Sequence, residues 1–108
     1  MKLVELVKYL VEPELLNELY QEKELDKESE ALVICMQGTI DMESEIAIFE
    51  IEKTGGDLIF EMDGKKYVEL FTIGHTIDLI EYDLQLKDNG YSAIQIAERL
   101  IDYRLNDA

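Results

Sequence analysis

Residues 57–71 read DLIFEMDGKKYVELF, two runs of strand-favouring residues separated by Asp63-Gly64. A two-residue type I′ turn needs φ > 0 at both central positions, and Asp-Gly supplies it at little steric cost, so the stretch is read as a β-hairpin. Such a turn sets the register: Met62 faces Lys65, Glu61 faces Lys66, Phe60 faces Tyr67, Ile59 faces Val68 and Leu58 faces Glu69. An aromatic pair and an opposite-charge pair result, each contributing about 0.2–1 kcal/mol. Phe60, Met62 and Tyr67 share one face of the ribbon, and Ile59, Val68 and Leu70 the other. A two-stranded ribbon is marginal alone. Helices are therefore expected on one side, with a loop, a helix or a second chain on the other.

Upstream, residues 31–36 (ALVICM) form a continuous apolar run, the pattern of a strand buried on both faces, and Gln37-Gly38 turns it. Ile40, Met42, Ile46 and Ile48 then alternate with Asp41, Glu43 and Glu45. That period predicts one long strand to about Glu52, bulged near Ser44, before Thr54-Gly55-Gly56 turns into the hairpin. Further back, Leu3, Leu6, Val7, Leu10 and Val11 recur at helical spacing over residues 1–11. Pro13 restarts the helix, and Leu15, Leu16, Leu19 and Tyr20 make a second stripe to about Glu24.

Downstream, Ile73, Ile77, Ile80 and Leu84 predict a helix from near Thr76, stopped by residues 87–90 (KDNG). Ser92 and Gln95 make a capping box for the last helix, with Tyr91 and Ile96 as its hydrophobic staple. Its buried stripe is read as Ile94, Ala97, Ile101 and Leu105, with Ile96, Leu100 and Tyr103 on a second side. The expected fold is a single α+β domain over residues 1–108. An antiparallel four-stranded β-meander packs on N-terminal and C-terminal helices, in the order α-α-β-β-β-β-α-α.

A chain of 108 residues with 47% hydrophobic content suffices for one core. No apolar run approaches the length of about 20 residues that a membrane span needs, and the start of the chain lacks the pattern of a signal peptide. One cysteine, Cys35, cannot form an internal disulfide, which suits a reducing cytoplasm. Twenty-five acids against ten bases give a net charge of −15. From residue 12 to residue 52 there are thirteen acids and two lysines, an excess of eleven negative charges. Direct binding to nucleic acid or to anionic membrane is disfavoured by such a field, and a basic protein surface is attracted.

Residues 90–100 (GYSAIQIAERL) resemble the first helix of helix-turn-helix regulators, in which a capped start precedes an Ile-Ala-x-x-Leu core. The residues after Leu100 hold neither the turn nor a basic recognition helix, so a plain capped helix is the reading. His75 is the only histidine, which excludes a His-based metal site, and no nucleophile or orienting carboxylate stands at a recognisable spacing from it. Cys35, inside ALVICM, reads as a small buried hydrophobe. Asp88-Asn89-Gly90 lacks the remaining ligands of an EF-hand loop. Phosphate loops, Gly-x-Ser-x-Gly elbows and Cys-x-x-Cys pairs are absent from the sequence.

No catalytic, cofactor-binding or metal-ligating residue is assigned on these grounds. Glu14, Glu18 and Glu22 stand four apart, a row of carboxylates about 6 Å from one to the next on a helix, continued by Glu24 and Glu28. The function expected is that of a small, acidic, cytoplasmic, non-enzymatic interaction module binding a basic site on a partner through these five residues. Immunity proteins and DNA mimics that inhibit nucleases use that physics. One alternative is a homodimeric assembly protein, formed through the second hairpin face or the broad apolar surface of the last helix. The other is a small hydrolase or isomerase using His75 or a carboxylate pair.

Overall fold

The computed structural model describes residues 1–22, 31–83 and 90–106. Helices α1 (Leu3–Leu10) and α2 (Pro13–Glu22) precede strands β1 (Leu32–Gln37) and β2 (Ile46–Glu50). A single-turn helix α3 (Ile51–Thr54) leads to β3 (Ile59–Met62) and β4 (Lys65–Thr72). Helix α4 (Ile73–Asp78) continues as a π-helical turn (Leu79–Asp83), and α5 (Ala93–Asn106) closes the fold. The α+β class, the four antiparallel strands and the helices at both ends are those the sequence implies.

The hairpin has the expected register, Ile59 to Val68, Phe60 to Tyr67, Glu61 to Lys66 and Met62 to Lys65. Asp63 at φ 54° and Gly64 at φ 78° supply the two left-handed residues of the turn. The Phe60 and Tyr67 rings stack at 5.7 Å.

The lateral order is β2-β1-β4-β3, not the sequential order of a meander. Two hairpins, β1–β2 and β3–β4, are joined antiparallel through their inner strands. Burial explains the choice: Leu32 to Met36 of β1 are all buried, so this strand takes the centre, with partners on both edges. The β1–β4 register shifts between Ile34 and Cys35, a bulge that gives Leu70 and Phe71 adjacent buried places.

The long strand expected over residues 40–52 is shorter at both ends. Residues 38–45 form a turn in which the Ser44 hydroxyl donates to the Thr39 carbonyl, the Glu43 amide donates to the Asp41 carboxylate, and the Ser44 amide donates to the Asp41 carbonyl. Ile40 and Met42 still pack on the core, from a loop.

The helices cover one face of the sheet. Leu3, Leu6, Val7 and Leu10 of α1, Leu16 and Leu19 of α2, and Ile96, Ala97 and Leu100 of α5 meet Ile34 and Met36 in one cluster. In α5 the stripe is therefore turned from the expected one: Ile94 and Leu105 are exposed, and Ile96, Ala97 and Leu100 are buried. The Ser92–Gln95 capping box forms as expected, through reciprocal bonds of 2.9 and 3.2 Å, whereas Tyr91 of the supposed staple is exposed. Helix α4 begins at Ile73, three residues before the expected start, because the Thr72 hydroxyl accepts from the His75 amide at 3.1 Å and caps it.

Val33 and Cys35 alternate with Ile34 and Met36 along β1 and are fully buried, but stand outside that cluster. The sheet curls enough to bring Phe49 of β2 within 5.5 Å of Phe60 and 5.1 Å of Tyr67, an aromatic cluster drawn from three strands.

Candidate functional site

The acidic row lies where its spacing puts it. Leu16 and Leu19 turn α2 onto the core, and Glu14, Glu18 and Glu22 stand exposed on the far side. Glu24 and Glu28 lie outside the described residues.

The acids sort into two groups. Four ion pairs occur among the described residues: the Met1 amino group with Glu45 at 2.7 Å, Lys2 with Glu43 at 2.7 Å, Lys53 with Glu50 at 3.2 Å, and Arg99 with Asp102 at 2.8 Å. The hydrogen bond from the Met1 amino group holds the Glu45 carboxyl below its ordinary pKa. The bond to Glu43 raises that of Lys2. Three acids of the negative stretch, Glu43, Glu45 and Glu50, are thus met by the chain's own cations. None of the described ion pairs includes Glu14, Glu18 or Glu22.

His75 is exposed in the first turn of α4, with its ring edge-on to Phe71 at 5.1 Å. It opens on a hollow of about 330 Å³ walled by Leu58, Glu69, Leu70, Phe71, Thr72, His75 and Arg104. Arg104 reaches it from the last turn of α5, its Nε donating to the Glu69 carbonyl at 3.3 Å. Burial pushes the Glu69 carboxyl above its ordinary pKa, with the charge of Arg104 opposing. Sequence spacing does not reveal this arrangement, since Arg104 and Glu69 are 35 residues apart and Leu58 is the residue just before β3.

Cys35 is a buried free thiol, as its apolar surroundings imply. Among the described residues no group of three or more His, Cys, Asp or Glu side chains is placed to hold a metal ion. No described helix is long and apolar enough to cross a membrane. The chain matches no protein-family model, no curated protein and no solved structure.

Proposed function

We propose that this protein is a small acidic interaction module that acts by binding rather than by catalysis. The face carrying Glu14, Glu18 and Glu22, continued in sequence by Glu24 and Glu28, docks on a basic site of a partner protein, in the manner of an inhibitor or immunity protein. One observation carries the reading: the acids near Met1, Lys2 and Lys53 are met by cations within the fold, and among the described residues the row on α2 meets none. Spaced carboxylates on a rigid helix suit Arg and Lys clusters, and at a rim they act chiefly on association rate and specificity.

A pull-down with wild type and with the triple variant Glu14→Gln, Glu18→Gln, Glu22→Gln tests it. At about 0.2–1 kcal/mol per exposed pair, the substitutions together should weaken capture of a basic partner between about threefold and a hundredfold. Equal recovery of the same partner by both proteins removes the electrostatic claim.

A homodimer is the second reading. Leu58 and Ile59 are each 59% exposed beside and on β3, an edge strand of the sheet. Light scattering across a concentration series decides it, because a mass that stays monomeric at every concentration excludes the dimer.

A further inference from the structure

The hollow at His75 has a structural cause. Pairing of β3 with β4 stops at Ile59–Val68, and the last bond across it runs from the Glu69 amide to the Leu58 carbonyl at 2.8 Å. Beyond that point the chain leads back through Gly55 and Gly56, both at positive φ, so Leu70, Phe71 and Thr72 have β1 on one side and, among the described residues, no strand on the other. The gap is walled by α4 and the end of α5. Buried Leu70 and Phe71 and exposed Leu58 make its apolar part, while Thr72, His75, Glu69 and Arg104 supply polar groups.

Arg104 is the informative residue. It is half-buried, and its one described hydrogen bond uses Nε on a backbone carbonyl. Among the described residues it has no carboxylate within ion-pair range, although the chain carries 25 acids and nearby Arg99 has taken Asp102. A partly desolvated guanidinium gains most from a planar oxyanion that meets its terminal nitrogens in pairs. The Glu69 carboxyl shares the hollow without reaching ion-pair range of Arg104, and burial raises its pKa while the charge of Arg104 opposes.

We propose that this hollow binds a single organic carboxylate with a short apolar body. The carboxylate lies on the terminal nitrogens of Arg104 and the body rests on Leu58 and Phe71. A volume of about 330 Å³ suits a small ligand. The net charge of −15 selects the class further, since a polyanion meets that field with every charge it carries and a monocarboxylate only once. This site lies apart from α2, and the inference does not depend on the acidic face having a partner.

The test is a titration of the ¹⁵N-labelled full chain at neutral pH, with N-acetyl-leucine and, in parallel, its uncharged amide N-acetyl-leucinamide. The acid should shift the amides of Leu58 and of residues 69–75. The amide compound should bind at least about tenfold more weakly, because it lacks the charge-assisted pair. A short peptide ending in a free leucine carboxylate, set against its C-amidated form, separates the two sources of such a group. Tighter binding of the free-ended peptide than of N-acetyl-leucine assigns the site to a chain terminus, and the reverse assigns it to a free acid.

Arg104→Gln should lower affinity for the acid by about tenfold or more, and Arg104→Lys by less. If Arg104→Gln fails to fold, Leu58→Asp serves, since that side chain is 59% exposed and a carboxylate there repels the ligand. Equal binding of acid and amide compound, an undiminished affinity in folded Arg104→Gln or in Leu58→Asp, or no shift at these amides at 20-fold excess overturns the assignment.

Discussion

Replacing Leu6 by alanine is expected to lower unfolding stability by about 3–5 kcal/mol, a third or more of the total for a typical domain. Leu6 is 0% exposed and lies in the middle of α1, the helix that packs against α2, α4 and α5. The core cluster to which it belongs draws from three directions: Leu3 and Leu10 on its own helix, Leu100 on α5, and Ile34 and Met36 on the sheet. A cavity opened there is walled by elements that are each held elsewhere, so it cannot easily collapse, and the cost should fall in the upper part of the range for Leu-to-Ala changes. Leu15→Ala is the control. The sequence places Leu15 in the buried stripe of α2, but it is 38% exposed, and its loss should cost no more than about 1 kcal/mol. Urea unfolding of the three proteins at unchanged m-value measures both effects. Equal losses from Leu6 and Leu15 would mean that α1 is not the inner helix of the layer.

What the sequence makes legible is what short-range chemistry determines. Asp63-Gly64 allows one turn type, and the turn allows one register, so the pairing of Phe60 with Tyr67 follows without knowledge of the rest. Ser92 and Gln95 cap α5 for the same local reason. The misread segments are those where two patterns compete. Ile40, Met42, Ile46 and Ile48 alternate as a strand does, but Asp41 and Ser44 offer the backbone hydrogen bonds inside a turn, and the turn prevails.

In α5, apolar residues occupy two sides of the helix. Periodicity cannot choose between them, and contact with α1 selects Ile96, Ala97 and Leu100. The apolar run of residues 31–36 marks β1 as an inner strand but does not name β4 as its second neighbour, and the hollow at Arg104 depends on meetings across tens of residues, for which no local signal exists. The row of glutamates was legible as geometry. Its lack of an ion-pair partner among the described residues was not, because the cations that neutralise Glu43 and Glu45 come from Lys2 and Met1, 41 and 44 residues away.

The thiol of Cys35 should be almost inert in the folded protein and should make stability fall steeply in alkali. The side chain is 0% exposed in β1, an inner strand of the sheet. Burial, with a smaller contribution from the negative charge of Glu69, pushes its pKa up to about 12. At pH 8 the thiolate fraction is then about one in ten thousand, against about one in four for an ordinary thiol of pKa near 8.5. Reaction with a thiol-directed reagent should therefore be slower by about a thousandfold or more in the native state and become rapid in denaturant.

The same shift has a sign for folding. Above pH 9 an unfolded chain has released the thiol proton while the native chain retains it, so the native state binds more protons and stability declines as pH rises, by about 1.4 kcal/mol per unit. Between pH 9 and pH 11 the loss due to this group should reach roughly 2–3 kcal/mol. Tyrosines and lysines also titrate there. The readout is consequently the difference in urea midpoint between wild type and Cys35→Ala, which should narrow or reverse in favour of the variant as pH rises. Parallel curves through pH 11, or prompt labelling of the folded protein at pH 8, would show that the sheet does not seal this thiol from solvent.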